Sequence, residues 1–353
     1  MKTASLSPAP KASRKLTRDQ LLELEQKEKT SAQKLADTAI TLLPVVSGLA
    51  AMLEYALLPN AFANPRPATY FVFLLILFCL YTGALGVGLV QLTKGNKHLM
   101  QRLRHKAPLY TLLFLLLLVY DFLTLKTAIL LQPFLPCVNS IFNIAWDDRE
   151  YLIISALYSL RLLFFGYFIG VITGLVTGIA CGYSPKVRYW VDPVIKFLGP
   201  IPSSTWIPIM MVLVSGHFFG ASVFIIALGV WFAVTVASMT GISNVDKEYF
   251  EAAKTLGASE QQLVFRVAIP HAMPSILQGM TQGMSTACTA LMIAEMMGVE
   301  AGLGWYITWA KAWASYNKMF AALIVICLLF TAVTKVLNMV KKRVLRWQIG
   351  VVK

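Results

Sequence analysis

Apolar residues recur along this chain in eight long runs, at about 39–58, 68–92, 107–131, 152–182, 191–215, 221–243, 275–298 and 318–340. A bilayer core about 30 Å thick needs about 20 apolar residues per helix, so each run is long enough to cross a membrane. Lipid offers no partner to a free backbone N–H or C=O, so such runs are expected to be helical. The pattern predicts an all-α polytopic membrane protein with about eight transmembrane helices. The first run is the weakest, because it holds Pro44 and Glu54. Polar and apolar stretches divide the chain into a basic tail (1–38), three spans (39–131) and a five-span core (150–348).

Charges between the runs set the expected orientation. Lys94, Lys97, Arg102, Arg104 and Lys106 occupy one loop, Lys186 and Arg188 another, and Lys341, Lys342, Arg343, Arg346 and Lys353 the C-terminal tail. The alternate loops are poor in Lys and Arg: 59–67 holds only Arg66, and 132–149 holds Asp147 and Asp148 against Arg149. Basic loops stay in the cytoplasm. Eight spans with both termini cytoplasmic put every basic segment on that side. The loop at 244–274 then also faces the cytoplasm, and it reads as ordered. Asp246 is placed to cap a helix with Glu248 in its first turn. Gly257 is placed to end it in the left-handed conformation. Ser259 with Gln262 makes a capping box for a second short helix, expected to stop before Pro270.

Composition supports the membrane class. Of 353 residues, 57% are hydrophobic and 14% charged, against about 25% charged in soluble domains. The net charge of +14 would suggest nucleic acid on a soluble protein. Here it follows the loops, so no nucleic-acid partner is expected. The five Cys and four His show no metal-ligand spacing, and the Cys read as packing residues. No apolar targeting segment is evident in the first 38 residues. There is no Gly-x-x-x-x-Gly-Lys-Ser/Thr phosphate loop and no nucleophile–base set, so neither ATP hydrolysis nor other catalysis is expected of this chain.

Within the cytoplasmic loop, Glu251-Ala252-Ala253, Gly257 and Val267-Ala268-Ile269-Pro270 follow at set spacing. This run resembles the Glu-Ala-Ala loop of permeases of binding-protein-dependent ABC importers, with Val267 and Ile269 as conservative departures. The resemblance extends over about 150–348 and is closest to the nitrate, sulfonate, taurine and bicarbonate branch. Ser155 to Arg161, Asp192-Pro193, Gly199 to Pro208, Ala294-Glu295-Met296-Met297-Gly298, Gly302-Leu303-Gly304, Tyr316-Asn317 and Leu345-Arg346-Trp347 carry it. The first 149 residues depart from that branch, whose members commonly have one span before the core.

The resemblance implies a type I ABC importer permease core with an N-terminal helical extension. It implies Glu251, Ala252, Ala253, Lys254, Gly257, Ala258 and Pro270 as the contact to a separate ATPase subunit. ATP and Mg would belong to that partner, with no cofactor in this chain. An extracytoplasmic binding protein and a second permease, identical or similar, complete the implied assembly in the cell (plasma or inner) membrane. Branch resemblance favours a small anion as substrate. The alternative is a secondary transporter driven by an ion gradient, which would need internal repeats that this sequence does not display.

Other residues carry two readings each. Gly166, Gly170, Gly174, Gly178 and Gly182 recur every four residues, which suits close helix packing within the subunit or a path lining. Pro200, Pro202 and Pro208 break the helical ladder in mid-run. Ser203, Ser204, Thr205 and Trp206 beside the break are candidates for lining a pathway, or mark a packed kink. Arg161 is a candidate for meeting an anion, or for an ion pair with Glu295. Glu295, with Met296, is a candidate for an outer gate. Glu54, Asp121, Lys126 and Lys196 are further charges in or near spans, with Asp121 and Lys126 expected to offset each other.

Overall fold

The computed structural model describes residues 30–94, 98–130, 133–214, 217–297 and 299–350, leaving out the side chains of Lys34, Ser204, Met211 and residues 348–350. Most of the basic tail and Gly298 therefore lie outside the described residues, as does the side chain of Ser204. The described residues are almost entirely helical, with no strand among them. The chain divides into two compact units, Met1–Leu130 and Leu131–Lys353.

The N-terminal unit is a bundle of α1 (Ser31–Leu57), α2 (Ala68–Thr93) and α3 (His98–Asp121), the last continuing as a π-helical turn (Phe122–Lys126). The Arg104 guanidinium pairs with Asp37 at 2.8 Å, and the Tyr81 hydroxyl donates to the Thr41 carbonyl at 2.7 Å. Lys126 offsets Asp121 only through space, as a nearby charge with no hydrogen bond between them. Its ammonium donates to the carbonyls of Tyr55 and Leu58 and to Asn60 Oδ1, at 2.8–3.0 Å. A cation at that point satisfies carbonyls that the end of α1 leaves open.

The second unit runs α4 (Val138–Asp147), α5 (Arg149–Tyr183), α6 (Pro185–Leu198), a 3₁₀ turn (Ser203–Trp206), α7 (Ile207–Leu213), α8 (Phe218–Ser243), α9 (Lys247–Thr255), α10 (Glu260–Gln262), a π turn (Leu263–Ala268), α11 (Ile269–Met297), α12 (Leu303–Ala312) and α13 (Tyr316–Val344). The stretch 132–149, expected as a loop, contains the helix α4, of which Asn139, Ile141 and Asn143 are buried. Asp148, at its end, pairs with Lys318 at 2.7 Å and accepts from the Tyr306 hydroxyl at 2.6 Å. One carboxylate thus ties α4, α12 and α13 together.

The core of this unit is the α5–α8 pair. Its glycines lie every four residues on α5, and each faces one residue of a matching series on α8: Ile226, Val230, Val234, Ser238 and Ile242. A Cβ built on Gly166, Gly170, Gly174, Gly178 or Gly182 would come within 2.5–2.9 Å of α8 atoms. Small residues here let two backbones approach closely, where lipid supplies little drive for association. The packing reading of the ladder is the one the structure bears out. Thr177 and Thr235 bond across the same seam at 2.9 Å, and Trp231 Nε1 donates to Thr177 Oγ1 at 3.0 Å.

Among the described residues, six helices are long and apolar enough to cross a membrane: α1, α2, α3, α5, α8 and α13. The two other expected spans differ for separate reasons. The run at 191–215 is not one helix: after Leu198 the chain turns through Gly199 to Pro202, makes a 3₁₀ turn, and resumes at Ile207. Pro200 and Pro202 cannot donate to a helical ladder and lie within the break, while Pro208 sits in the first turn of α7, where a proline is tolerated. The run at 275–298 lies in α11, a single helix of 29 residues and about 43 Å at 1.5 Å per residue. It is long enough to span, but polar side chains dilute its hydropathy.

Gly170→Ala places a methyl 2.6 Å from the Ala227 carbonyl oxygen, an atom that cannot move aside. We expect this change to destabilise the protein by about 1–3 kcal/mol. Gly86→Ala, with open space around it, should be neutral. Thermal unfolding in detergent of the two variants beside wild type checks the difference.

Candidate functional site

Three groups of candidate residues lie in three different places. The first is the projection at 244–274. Asp246 stands at the N-cap of α9 with extended backbone, but its carboxylate makes no capping bond; no residue of α9 is buried. Gly257 has φ +81°, and its N–H and that of Ala258 bond back to Lys254 and Ala253 at 2.9 and 3.1 Å. That is the glycine-ended helix stop expected from the spacing. The Ser259 capping box also forms, its N–H donating to Gln262 Oε1 at 2.9 Å.

Pro270 does not end the second helix. The chain passes from α10 through the π turn into α11, with Pro270 at the second position of α11. The widened turn absorbs the proline, whose missing N–H and ring would disrupt a regular α ladder there. Glu251, Ala252, Lys254 and Gly257 are exposed, and Ala253 and Ala258 partly so. At the tip Leu256 is 88% exposed, and Tyr249 and Phe265 also face outward. Glu260 ties the projection to the end of α5: it accepts from the Tyr183 hydroxyl and pairs with Lys254 at 3.5 Å. The Tyr183 bond first, and the Lys254 charge after it, hold the Glu260 carboxyl below the usual carboxylate range.

The second group lines a cavity of about 520 Å³ between α6, the 3₁₀ turn, α8 and α11. Ser203 and Trp206 line it, together with Trp231, Phe232, Gln278 and Gln282. Among its described lining residues none is charged. Thr205, expected beside them, is exposed and outside the lining. The residues on α11 were not singled out from the sequence. Gln278, Gln282, Ser285 and Thr289 are exposed at offsets of four, three and four residues, so they fall on one face of the helix. Their helical period within an apolar run was the available signal. Across that face from the cavity lies a second, more open groove. Ser285, Thr331, Thr334, Lys335 and Asn338 line it. Lys335 was overlooked because it stands near the C-terminal end of a run read as plainly apolar.

The third group is at the opposite end of α11. Glu295 is 1% exposed. Its Oε2 accepts from Gly304 N–H at 2.8 Å, and the Ser159 hydroxyl accepts from Leu303 N–H at 2.9 Å. Side chains from two other helices thus satisfy the first free donors of α12. Gly302 has φ +118°, and a Cβ on it would come within 2.3 Å of Glu295 Oε1. No ion pair joins Arg161 to Glu295 among the described residues. Arg161 instead lies over the Phe219 ring, 5.2 Å from its centroid, and is exposed on the protomer. Met296 is also exposed.

Residues 166–346 match the model of the "binding-protein-dependent transport system inner membrane component" family. The chain belongs to this family. It is therefore a multi-pass membrane permease component of the ABC class. Over 99 residues (27% of this chain and 34% of the relative) it is 31% identical to the taurine transport system permease protein of Escherichia coli. Over 183 residues (52% and 66%) it is 30% identical to a Bacillus subtilis protein named for aliphatic sulfonates transport. The matched stretches thus span between a third and two thirds of these two relatives' length. Among solved structures, one of the MetNI methionine ABC transporter aligns with a TM-score of 0.48 at 20% identity, covering 56% of this chain and 98% of that one.

Glu295→Ala leaves the Gly304 N–H of this permease buried without an acceptor, and we expect a loss of about 1–3 kcal/mol. Glu295→Gln, which keeps an acceptor, should lose less, and thermal unfolding separates the two. The Glu260 tie follows pH with a definite sign. Its carboxyl value is lowered in the fold, so the tie is fully present above the ordinary Glu value and is lost as pH falls through the lowered one. Amide-exchange protection at 251–262, taken relative to the intrinsic rate at each pH, should therefore fall in acid in wild type, and be low at all pH values in Tyr183→Phe.

Proposed function

We propose that this permease is the membrane subunit of an ATP-driven importer, and that the projection at 244–274 docks a separate ATPase. The observation that carries the reading is the construction of that projection. It is a helix with no buried residue, stopped by Gly257, held at its base by Glu260, and tipped by the exposed Leu256. Leu256, with Tyr249 and Phe265 also exposed on the projection, gives it apolar surface that a partner's cleft would cover. Glu251, Ala252, Ala253, Lys254, Gly257 and Ala258 form the docking face, and Pro270 belongs to the root that joins it to α11.

In this reading both termini and the projection are cytoplasmic, in keeping with the basic loops. A second permease, identical or similar, stands beside this one, and a binding protein delivers substrate from outside. The polar face of α11 lines the pathway, because Gln278, Gln282, Ser285 and Thr289 would be costly against lipid. Ser203 and Trp206 border the same path. The substrate is a small anion: relatives are named for taurine, sulfonates, bicarbonate and nitrate, and Lys335 adds an ammonium among hydroxyls and an amide. Residues 39–131 form an N-terminal extension that precedes this core in the chain.

Leu256→Asp, Gly257→Val and Glu251→Arg should each insert normally. Each should lower uptake, and the stimulation of the partner ATPase by the binding protein, by roughly tenfold or more, equivalent to about 1.4 kcal/mol of lost docking energy or above. Normal uptake in all three would defeat the docking assignment. Transport by the purified chain alone in liposomes, driven by an ion gradient, would establish secondary transport instead. The same uptake assay with taurine, bicarbonate and nitrate reads the substrate class.

A further inference from the structure

The N-terminal unit contains two carboxyl groups that its own structure leaves unbalanced. Asp121, at the end of α3, is 0% exposed, and neither of its carboxyl oxygens has a hydrogen-bond partner. Glu54, on α1, has both carboxyl oxygens enclosed and equally without a partner. The two are within electrostatic reach of each other, and Tyr70 of α2 is within reach of both. Tyr55 is the next residue on α1. From α3 the remaining charged group is Lys126, near enough to be felt by both carboxyls. Its ammonium, however, is committed to the end of α1 and to Asn60 by three hydrogen bonds. Arg104 is taken by Asp37.

The charge balance decides what the site holds. Two ionised carboxylates and one ammonium leave one net negative charge enclosed among apolar helices. An enclosed, unpartnered ionised carboxylate is far more costly than the same group neutralised, and two carboxyls close together do not both ionise. A multidentate metal site is not supported, since no group of three or more acidic, His or Cys ligands gathers among the described residues. A charged side chain in a span is a sign of function before it is a sign of structure.

We infer that Glu54 and Asp121 form a proton-binding site inside the N-terminal unit, with one proton held by the pair across α1 and α3. The proton comes from water and returns to it, and only an O–H bond forms and breaks. When the proton is present the pair is a neutral acid beside a carboxylate, and the carboxylate is balanced by Lys126. When it leaves, two like charges face each other between α1 and α3 and push those helices apart. The site needs nothing from the core of the second unit, so it stands whether or not the importer reading holds.

Infrared spectroscopy of the full chain in nanodiscs tests it, with carbon-13 at the carboxyl groups of aspartate and glutamate. Wild type at neutral pH should display a protonated-carboxyl C=O band that shifts with the label and is absent from E54Q/D121N. A band that persists in that double variant belongs to another carboxyl, such as Glu295, and a spectrum with only such a band overturns the proposal. In parallel, the melting temperature of wild type should fall by several degrees as pH is raised, while that of E54Q/D121N stays flat. Parallel pH profiles in the two proteins overturn the proposal. So does a melting temperature that rises with sodium over choline at constant ionic strength, which would make the pair a sodium site. The infrared measurement on wild type decides the matter even if the variant fails to fold.

Discussion

The close approach of α5 to α8 is the constraint on which the second unit depends. Five glycines at four-residue spacing leave no room for a Cβ. The two helices therefore meet backbone to backbone along most of the length of α8. Once that seam is fixed, α11 packs against α8 through Gly279 and Gly283, whose own Cβ positions would meet Ala237 and Val230. This fixes which face of α11 is buried. The polar stripe on its other face is therefore a consequence of the glycine seam. Had α5 and α8 stood a methyl group further apart, Gln278 and Gln282 would lie in a different relation to Ser203 and Trp206.

Different parts of this architecture were legible in the sequence to different degrees, for physical reasons. Local features were read well. The glycine ladder is a spacing, the Ser259–Gln262 capping box is a four-residue pattern, and the left-handed Gly257 follows from the chemistry of one residue. Features that depend on distant partners were not legible. Asp148 sits in a run that reads as a loop, and its role emerges only when Tyr306 and Lys318 arrive from far along the chain. Glu295 invited pairing with Arg161 because both are charged, yet it accepts from a backbone N–H nine residues away instead. Pro270 was misread because a proline usually ends a helix; the π turn that accommodates it has no sequence signature of its own.

The candidate site is equally instructive about scale. Burying polar groups within a membrane is costly, and the second unit of this permease places most of its own where the cost is offset. Ser159 and one oxygen of Glu295, Oε2, are enclosed and matched to backbone donors. Thr177, Thr235 and Trp231 bond to one another across the seam. The unmatched polar groups on α11 and α13 lie instead on exposed faces of the isolated protomer, next to open grooves. Hydropathy averaged over a window cannot separate these cases. The same polarity that lowers the score of α11 as a span is what marks one of its faces.

The π turn between α10 and α11 has a mechanical consequence. From Glu260 to Met297 the backbone stays helical, with no slack loop between the projection and the long helix behind it. A displacement of α10 would therefore pass into α11 through continuous helix, and any rotation of α11 would swing its whole polar stripe at once, as a crank turns a shaft.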